Sequence, residues 1–448
     1  TLRGAVHRFS TPTPPGVGPA TLIKQFSAAR GVARGLSGSL HGERSPLAGG
    51  VAASIAALYA AYFFSFFHRT VTGMLQQELS AIAEGAGWDP RLFAVAVSSA
   101  YFYTYAAMQV PAGILADALG TRRYAALSAA LMGLGSVLSA LGSPPLFIAG
   151  RLMVGVGAAA IWVSMQRVIG VKVGKARGGL MTGLGLMVGG LGNVFATMPA
   201  YLLVEALGTG GLFLAMGLVT LAISAAIMHL VDDEGLGLGS IKESLYATLR
   251  QLRFTARNGH SLALAVAGLG TYAAFLAYMS YWAPFYLEGC AGLPKNQAAS
   301  LLLLTSLSFT LAVPLVGYLS DATGRRKPVL VASCALHSAA WLTAVLLAYT
   351  AEWWLLPAYS VLLGVVAATH SIISPMAREY YRAEFSGTTL SFVNGITFAG
   401  VALYQLAAYA LQSPLHALAL FAAVAALATV LTPLVHETMA DGEDQPLR

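Results

Sequence analysis

Long apolar stretches recur along the chain, and each is long enough to cross the hydrocarbon core of a bilayer as a helix. A window of about 20 residues, the length that such a crossing needs, finds twelve of them. They run over about residues 48–75, 91–116, 122–141, 145–170, 178–203, 210–230, 260–287, 297–319, 327–349, 353–377, 386–411 and 414–435. The strands of a membrane barrel would instead alternate over about ten residues. The pattern therefore predicts an all-α membrane protein with twelve transmembrane helices.

The segments between these helices divide the chain into five regions. They are a tail (residues 1–46), a first six-helix bundle (47–230), an interior loop (231–258), a second six-helix bundle (259–436) and a short tail (437–448). The first tail is rich in Arg, Ser, Gly and Pro, which predicts a disordered cytoplasmic segment, with an organellar transit peptide as the alternative. In the interior loop, Leu245, Leu249 and Leu252 recur at helical spacing, which predicts a short amphipathic helix at the cytoplasmic surface.

The composition agrees with an exterior that faces lipid. Of the 448 residues, 57% are hydrophobic and 10% are charged, against about 25% charged residues in a soluble domain. These values exclude a soluble enzyme, a disulfide scaffold and a disordered chain. Cys290 and Cys334 share no spacing motif, so both are expected to be buried thiols.

The distribution of basic residues predicts the orientation. Of the 26 Lys and Arg residues, 22 fall in the tails or in alternate loops on one side of the predicted bilayer. The positive-inside rule then places both termini in the cytoplasm of a multi-pass plasma membrane protein, which in a bacterium is the inner membrane. The net charge of +7 reflects this topology, so no nucleic-acid partner is expected. The four exceptions are Arg69, Arg91, Arg151 and Lys295.

One stretch of sequence occurs twice, at an offset of 204 residues. GILADALGTRR (residues 113–123) aligns with GYLSDATGRRK (residues 317–327), and the copies end the second and the eighth helix. The motif residues are Gly113, Asp117, Gly120, Arg122 and Arg123 in the first copy and Gly317, Asp321, Gly324, Arg325 and Arg326 in the second. A spacing of six helices keeps the two bundles parallel, related by an axis along the membrane normal.

These repeats resemble the loop signature G-x-L-a-D-r-x-G-r-r of the major facilitator superfamily of secondary transporters, and the resemblance covers about residues 48–436. RLMVGVGAAA (residues 151–160) is similar to the family's R-x-x-x-G-x-G motif in helix four. AYFYTYAAMQVPAGILADALGTRR and FFHRTVTGML look most like bacterial members close to the anion and organic-acid symporters. Two features depart from family patterns. Ala118 stands where the family usually has Arg, and the glycine-rich fifth helix lacks the Gly-Pro pair typical of drug:proton antiporters.

The resemblance implies two bundles that rock about a central site near the membrane midplane. It also implies that Asp117 and Asp321 belong to a gate, because their contacts with loop cations and helix ends exist only while the cytoplasmic side is shut. In such a gate the small glycines let two helices approach closely. The alternative is that both aspartates are turn residues that anchor basic loops.

Arg69 and Arg151 lie inside predicted spans, where a charge costs at least ~2.5 kcal/mol and normally faces a cavity or a partner. Each lies six residues from the expected outer end of its helix, or ~9 Å at 1.5 Å per residue, so the two share a depth. Since no carboxylate is expected in mid-membrane, the pair predicts a site for a carboxylate or phosphate. The alternative is that each guanidinium bonds backbone carbonyls and orders the fold.

Histidines are the candidates for proton coupling, because the core lacks a carboxylate. His68 stands beside Arg69, where related symporters tend to have Asp, and a histidine in that place can exchange a proton near neutral pH. A neutral, hydrogen-bonding role is the alternative. His337 and His370 are weaker candidates, and H+ or Na+ is the expected coupling ion.

Polar and aromatic side chains at helical spacing are candidates to complete the cavity. They are Tyr101, Tyr105 and Gln109 in helix two, Tyr278 and Trp282 in helix seven, and Asn394 and Gln405 in helix eleven. Core packing is the alternative for each of them. Trp282-Ala283-Pro284 also predicts a break in helix seven, where a gate could hinge.

The sequence has no GxxxxGK[ST] loop, His/Cys metal spacing or nucleophile elbow, so no enzyme, cofactor or metal site is expected. The predicted function is gradient-driven transport of a small organic or phosphorylated anion by a monomer in the bilayer. The predicted substrate-binding residues are Arg69, Arg151, His68, Tyr105, Gln109, Tyr278, Trp282 and Asn394. Two alternatives remain, namely efflux of hydrophobic or siderophore-like compounds and a non-transporting receptor or assembly protein.

Overall fold

The computed structural model describes residues 49–173, 175–232, 241–381 and 383–439, and every regular element in them is helical. The predicted tail of residues 1–46 and most of the predicted tail of residues 437–448 lie outside the described residues. In the described part of the chain, ten helices are long and apolar enough to cross a membrane. The second and third predicted spans are also helices, so the predicted twelve-helix architecture is confirmed.

The first six spans follow the predicted limits within a few residues. Their helices are Gly49–Thr70, Pro90–Met108 with Pro111–Leu119, Thr121–Ala140, Pro144–Lys172, Lys175–Phe195 and Met198–Leu230. The helix Met198–Leu230 is kinked at Gly208 (φ 70°), where the fifth span ends and the sixth begins. Glycine adopts a positive φ without steric cost, so the chain can change direction there. A short helix that the sequence pattern did not predict, Gln76–Gly85, connects the first two spans.

The second six spans begin at Gly259. Their helices are Gly259–Gly268 and Ala274–Ala277 of the seventh span, Lys295–Thr323, Lys327–Thr350, Leu356–Ala368 with Ile373–Glu379, Ala383–Leu411 and Pro414–Leu431. The amphipathic helix predicted in the interior loop is observed as Ile241–Thr255.

The seventh span differs from its prediction, because no break occurs at Trp282-Ala283-Pro284. Pro284 keeps helical dihedral angles (φ −61°, ψ −42°). Wide π-helical turns, Tyr278–Trp282 and Phe285–Cys290, lie on either side of it. A π turn shifts the hydrogen-bond partners of the backbone, so the missing N–H of a proline need not end the helix.

Exposed apolar side chains mark the faces that meet lipid. In the third span, Leu127, Leu134 and Leu141 recur every seven residues and are all more than half exposed. Ala129 and Met132, on the opposite side of the same helix, are fully buried. A leucine stripe of this kind is unfavourable in water and favourable in hydrocarbon, as expected for a multi-pass membrane protein.

The two six-helix halves contact each other along their spans and at one end. The second span packs on the eleventh, and the fifth packs on the eighth. Gly190 makes the second contact possible, since a Cβ there would lie 2.6 Å from the side chain of Thr310. These contacts leave the centre of the molecule bounded by helices from both halves.

We call the packed turns Val71–Met74 and Tyr278–Trp282, which close one end between the halves, the lock. Gly73 lies directly against the other turn, because a Cβ on it would be 2.0 Å from the carbonyl oxygen of Met279. The hydroxyl of Thr72 donates a hydrogen bond to the carbonyl of Ser280 at 3.2 Å. Backbone therefore packs directly against backbone where the two halves meet at this end.

Polar side chains join the halves beside the lock. The Gln77 amide donates to the Glu288 carboxylate at 2.7 Å. Lys295 of the eighth span forms an ion pair with Glu78 of the short helix. The first contact is exposed and the second is partly buried, and both add to the closure made by the packed turns.

The repeated motif lies at the opposite end, which we call the motif end (residues 113–123 and 317–327). Gly120 and Gly324 have φ values of 77° and 62°, and each ends one helix just before the next begins. This geometry explains why glycine occupies the same place in both copies. The close helix approach predicted at Gly113 and Gly317 is wrong, because a Cβ on either would meet no atom within 4 Å.

The motif aspartates form ion pairs inside their own halves. Asp117 accepts a hydrogen bond from Arg167 of the fourth span at 2.7 Å. Asp321 lies 3.3 Å from Arg326, which also binds Glu379 through two hydrogen bonds of 2.7 and 2.8 Å. These pairs therefore order each half at the motif end without joining one half to the other.

Candidate functional site

A cavity of about 140 Å³ lies between the two halves. Its lining comes from the first, second, fourth, fifth, seventh, tenth and eleventh spans. The lining residues are Tyr62, Phe66, Arg69, Tyr105, Trp162, Leu186, Gly268, Tyr272, His370, Ile373, Ser374, Arg378, Leu390, Asn394, Thr397 and Phe398. Arg69 lies two residues before the lock, whereas Arg378 is exposed next to Glu379, which binds Arg326 of the motif end. The cavity therefore runs from the lock towards the motif end.

Arg69 is the most deeply placed charge of the cavity and is only 2% exposed. Its Cζ lies 3.6 Å from the centre of the Phe66 ring, 5.9 Å from that of Tyr272 and 6.0 Å from that of Phe398. The faces of aromatic rings partly compensate a cation that has lost its water. The guanidinium nevertheless keeps two buried nitrogens, Nε and Nη2, without a hydrogen-bond partner.

The charges around the cavity have one sign. Arg69 and Arg378 are its cations, and no Asp or Glu is among the described residues that line it. A buried charge is normally paired, because desolvation without a partner is costly. The cavity is thus an electropositive space in which Arg69 has no counter-charge among the described lining residues.

His370 lies on the wall opposite the first span. Its ring stacks on Tyr272 with a centroid distance of 3.7 Å and an interplanar angle of 1°. Its Nδ1 lies 2.7 Å from the carbonyl oxygen of Ala367, which can only accept, so Nδ1 carries a hydrogen. Nε2 is therefore the nitrogen that can gain or lose a proton.

Aromatic rings form much of the remaining wall. Tyr62 and Trp162 approach to 5.3 Å between ring centres, and Tyr105 and Phe398 to 4.4 Å. The first pair belongs to one half, and the second pair joins the two halves. Trp162 and Tyr105 are partly exposed, so their rings are the ones that a ligand can reach most easily.

Arg151 does not share this cavity, and the prediction that both arginines face one site is wrong. It is fully buried between helices, where its Nη1 donates to the carbonyl of His68 at 2.7 Å and its Nε to that of Val97 at 3.3 Å. The fourth span is thereby tied to the first and second. Sequence position suggested that the two arginines share a depth, but it did not determine the direction in which each side chain points.

His68 also lies away from the cavity. It is fully buried, and neither of its ring nitrogens has a hydrogen-bond partner. Adjacent helical residues point about 100° apart, and His68 is not among the residues that line the cavity beside Arg69. Of the three histidines considered for proton coupling, His68, His337 and His370, it is His370 that lines the cavity.

The other predicted cavity residues divide in the same way. Tyr105 and Asn394 line the cavity. Gln109 does not, and its amide donates to the carbonyl of Tyr105 at 3.4 Å. Trp282 is buried and donates to the carbonyl of Tyr404 at 3.1 Å, while Tyr278 packs in the core of its own half.

Several lining residues were missed by sequence reasoning. Tyr62, Trp162 and Tyr272 were missed because aromatic residues in an apolar helix give no sign of which face they occupy. Arg378 was assigned to a cytoplasmic loop, although it lies at the end of the helix Ile373–Glu379 and lines the cavity. The feature of the sequence that could have identified Arg378 is its position one helical turn beyond Ser374.

Comparison with known proteins agrees with this architecture. The family model for the Major Facilitator Superfamily matches residues 58–294 and 291–439. A solved structure described as "Crystal structure of D-xylose-proton symporter" superposes with a TM-score of 0.71 at 12% sequence identity, covering 86% of this chain and 98% of that chain. At that identity the likeness shows the fold alone. No curated protein matches the sequence.

Proposed function

The chain belongs to the major facilitator superfamily, and from this premise we propose that it carries a small organic anion across the membrane, with Arg69 as the anion's ligand. The membrane-spanning fold makes it a multi-pass transporter. The proposal rests on one observation, which is a buried guanidinium with two unpaired nitrogens in a cavity that no described carboxylate lines.

The two unpaired nitrogens favour a carboxylate as the charged group. Nε and Nη2 lie on one edge of the guanidinium, and that edge matches the spacing of two carboxylate oxygens. At a separation of 4 Å and an effective dielectric constant of about 20, such a pair gains about 4 kcal/mol. Much of the desolvation of Arg69 is already complete in the protein, so the anion retains a large part of that gain.

Alternating access follows from the two ends of the molecule. The lock is shut, and the cavity extends towards the motif end. Transport requires a second conformation in which the lock separates and the motif end closes. We propose that Asp117 and Asp321 then exchange their partners within each half for contacts between the halves, which makes the repeated motif a gate.

We propose a proton as the coupling ion and His370 as the group that carries it. Its Nε2 is the nitrogen that can take up the proton, and no Asp or Glu is among the described residues that line the cavity beside it. The nearby groups are Tyr272, His337, Arg69 and Arg378. An anion bound at Arg69 would favour the protonated imidazole, so anion and proton would enter together. A sodium ion is less suitable, because hard cations require oxygen ligands such as carboxylates.

Membership of this family also leads to a proposal for how the protein is oriented in the membrane. We propose that the protein is a monomer in the plasma membrane with the motif end in the cytoplasm, where the positive-inside rule places its basic residues. The cavity then reaches the cytoplasm in the present conformation, and the lock faces outwards.

Counterflow in proteoliposomes tests the anion proposal. Purified protein would be loaded with an unlabelled carboxylate, and uptake of the same labelled compound would be followed for wild type, Arg69→Ala and Arg91→Ala. We expect Arg69→Ala to lose on the order of 100-fold in transport, since a charge-assisted pair contributes roughly 3 kcal/mol. Arg91 is exposed and does not line the cavity, so its substitution controls for a general loss of positive charge. Equal uptake by wild type and Arg69→Ala would refute the role of Arg69 as the anion's ligand, and no uptake of any carboxylate by wild type would favour efflux of hydrophobic compounds.

A further inference from the structure

From the walls of the same cavity we infer the body of the substrate: it is an aromatic monocarboxylate, whose ring lies among the aromatic side chains while its carboxylate reaches Arg69. The inference rests on the proposed function, because it takes Arg69 as the ligand of the anion. It adds a statement about the uncharged part of the molecule.

The composition of the wall carries the inference. Of the sixteen lining residues, six are Phe, Tyr or Trp, which are Tyr62, Phe66, Tyr105, Trp162, Tyr272 and Phe398. The rings of Phe66, Tyr272 and Phe398 surround the guanidinium of Arg69. The rings of Tyr62, Trp162 and Tyr105 line the cavity further from that guanidinium. A flat ring attached to a carboxylate at Arg69 would therefore meet aromatic surface on leaving the charged group.

The volume of the cavity agrees with a substrate that has a single ring. The cavity measures about 140 Å³, and an apolar protein cavity of about 150 Å³ is known to hold one benzene molecule. The partly exposed rings of Trp162 and Tyr105 come from different spans and leave free aromatic surface. Such rings prefer offset-stacked or edge-to-face contacts, which a planar substrate can form and a saturated ring cannot form as well.

The charges of the cavity favour a substrate with one carboxylate over a substrate with two carboxylates or with a doubly charged phosphate. Arg69 is the single deeply buried cation among the described lining residues, whereas Arg378 is exposed. A second anionic group near the aromatic walls would remain without a buried counter-charge. Neutral polyols are disfavoured for a related reason, since they leave the Nε and Nη2 donors of Arg69 without an anionic acceptor.

The test compares matched compounds as inhibitors of benzoate counterflow by the wild-type protein. Benzoate, cyclohexanecarboxylate, terephthalate, phenyl phosphate, benzyl alcohol and D-xylose differ in ring, charge or both. We expect benzoate to inhibit at roughly tenfold lower concentration than cyclohexanecarboxylate, and the doubly charged and neutral compounds to be weaker still. A stronger effect of D-xylose or benzyl alcohol would overturn the inference.

Two variants locate the preference in the wall. Trp162→Leu should reduce the ratio between benzoate and cyclohexanecarboxylate several-fold, with little change for cyclohexanecarboxylate itself. Trp354→Leu is the matched control, because Trp354 is 74% exposed and lies outside the cavity. The wild-type inhibition series decides the question if Trp162→Leu fails to fold.

The failures of the two proposals are distinguishable. If benzoate and cyclohexanecarboxylate are equally effective and both depend on Arg69, the aromatic inference is wrong and the anion proposal stands. If no carboxylate is transported or inhibits, both are wrong.

Discussion

Arg69 and Arg151 are the same residue type in the same half of the protein, and both are almost completely buried, yet their surroundings differ. Arg151 donates hydrogen bonds to two backbone carbonyls, those of His68 and Val97, and so connects three spans. Arg69 is surrounded by aromatic rings beside a cavity and keeps one edge of its guanidinium unpaired. Arg151 keeps one unpaired nitrogen, Nη2, and Arg69 keeps two, but only Arg69 lines the cavity, so its unpaired edge is the one that a ligand can reach.

The largest expected effect on stability comes from Arg151→Ala. It would leave two buried carbonyls without their donor and open a space between helices, at a cost of roughly 4 kcal/mol. Melting temperatures in detergent would measure it against Arg69→Ala, which removes an uncompensated charge and should shift the melting temperature much less. A larger loss for Arg69→Ala than for Arg151→Ala would reverse the assignment of the two residues.

The next largest effect is expected for a substitution in the lock. Gly73→Ala places a Cβ against the Met279 carbonyl oxygen, and overpacking of this kind costs about 1–3 kcal/mol. The lock should therefore open more often, and Cys290 in the adjacent π turn should react several-fold faster with a maleimide. Gly85→Ala is the control, since a Cβ there meets no atom within 4 Å. The buried Cys334 should react slowly in both variants. An unchanged rate at Cys290 would mean that the packed turns do not control access to this end.

A smaller effect is expected for the ion pair beside the lock. The Lys295 and Glu78 side chains are partly buried but still reach solvent, and ion pairs that water can screen contribute about 1 kcal/mol or less. A double-mutant cycle with Lys295→Ala and Glu78→Ala, read out as melting temperature, measures their coupling. Coupling well above that value would show that charge, and not backbone packing, holds the lock.

The smallest effect is a pH dependence at Glu288. Burial raises the pKa of this carboxyl, opposed by the hydrogen bond from Gln77 and by the charge of Lys295. A raised pKa in the folded protein means that the protonated form is favoured there, so stability is lost as the pH rises through that pKa. Glu288→Gln should therefore gain stability relative to wild type between pH 4 and pH 7. A difference that does not change with pH would show that Glu288 does not titrate in this way.

The helices were predictable from the sequence because their limits depend on the length of apolar runs. The pattern placed the third span at 122–141, and the helix is Thr121–Ala140. The repeated Gly120 and Gly324 were also informative, since both ends need a positive φ. The lock was not predictable, because it depends on how Gly73 of one half meets Met279 of the other.

The candidate site was only partly predictable. Sequence position singled out Arg69 and Arg151 as charges inside spans, but side-chain direction depends on helix rotation and packing. The partners of Arg151 are backbone carbonyls, which every residue possesses and which leave no trace in the sequence. Tyr272 and Trp162 could not be distinguished from core residues, because most aromatic residues in such helices pack between helices.

Equilibrium binding of labelled benzoate to purified protein tests the central claim about Arg69 most directly. Wild type, Arg69→Gln and Arg69→Lys would be compared at constant ionic strength, with Arg91→Ala as the control. We expect saturable binding to wild type and Arg91→Ala, binding on the order of 100-fold weaker to Arg69→Gln, and an intermediate affinity for Arg69→Lys, which keeps the charge and loses the two-point contact. Equal affinity of wild type and Arg69→Gln would contradict the account.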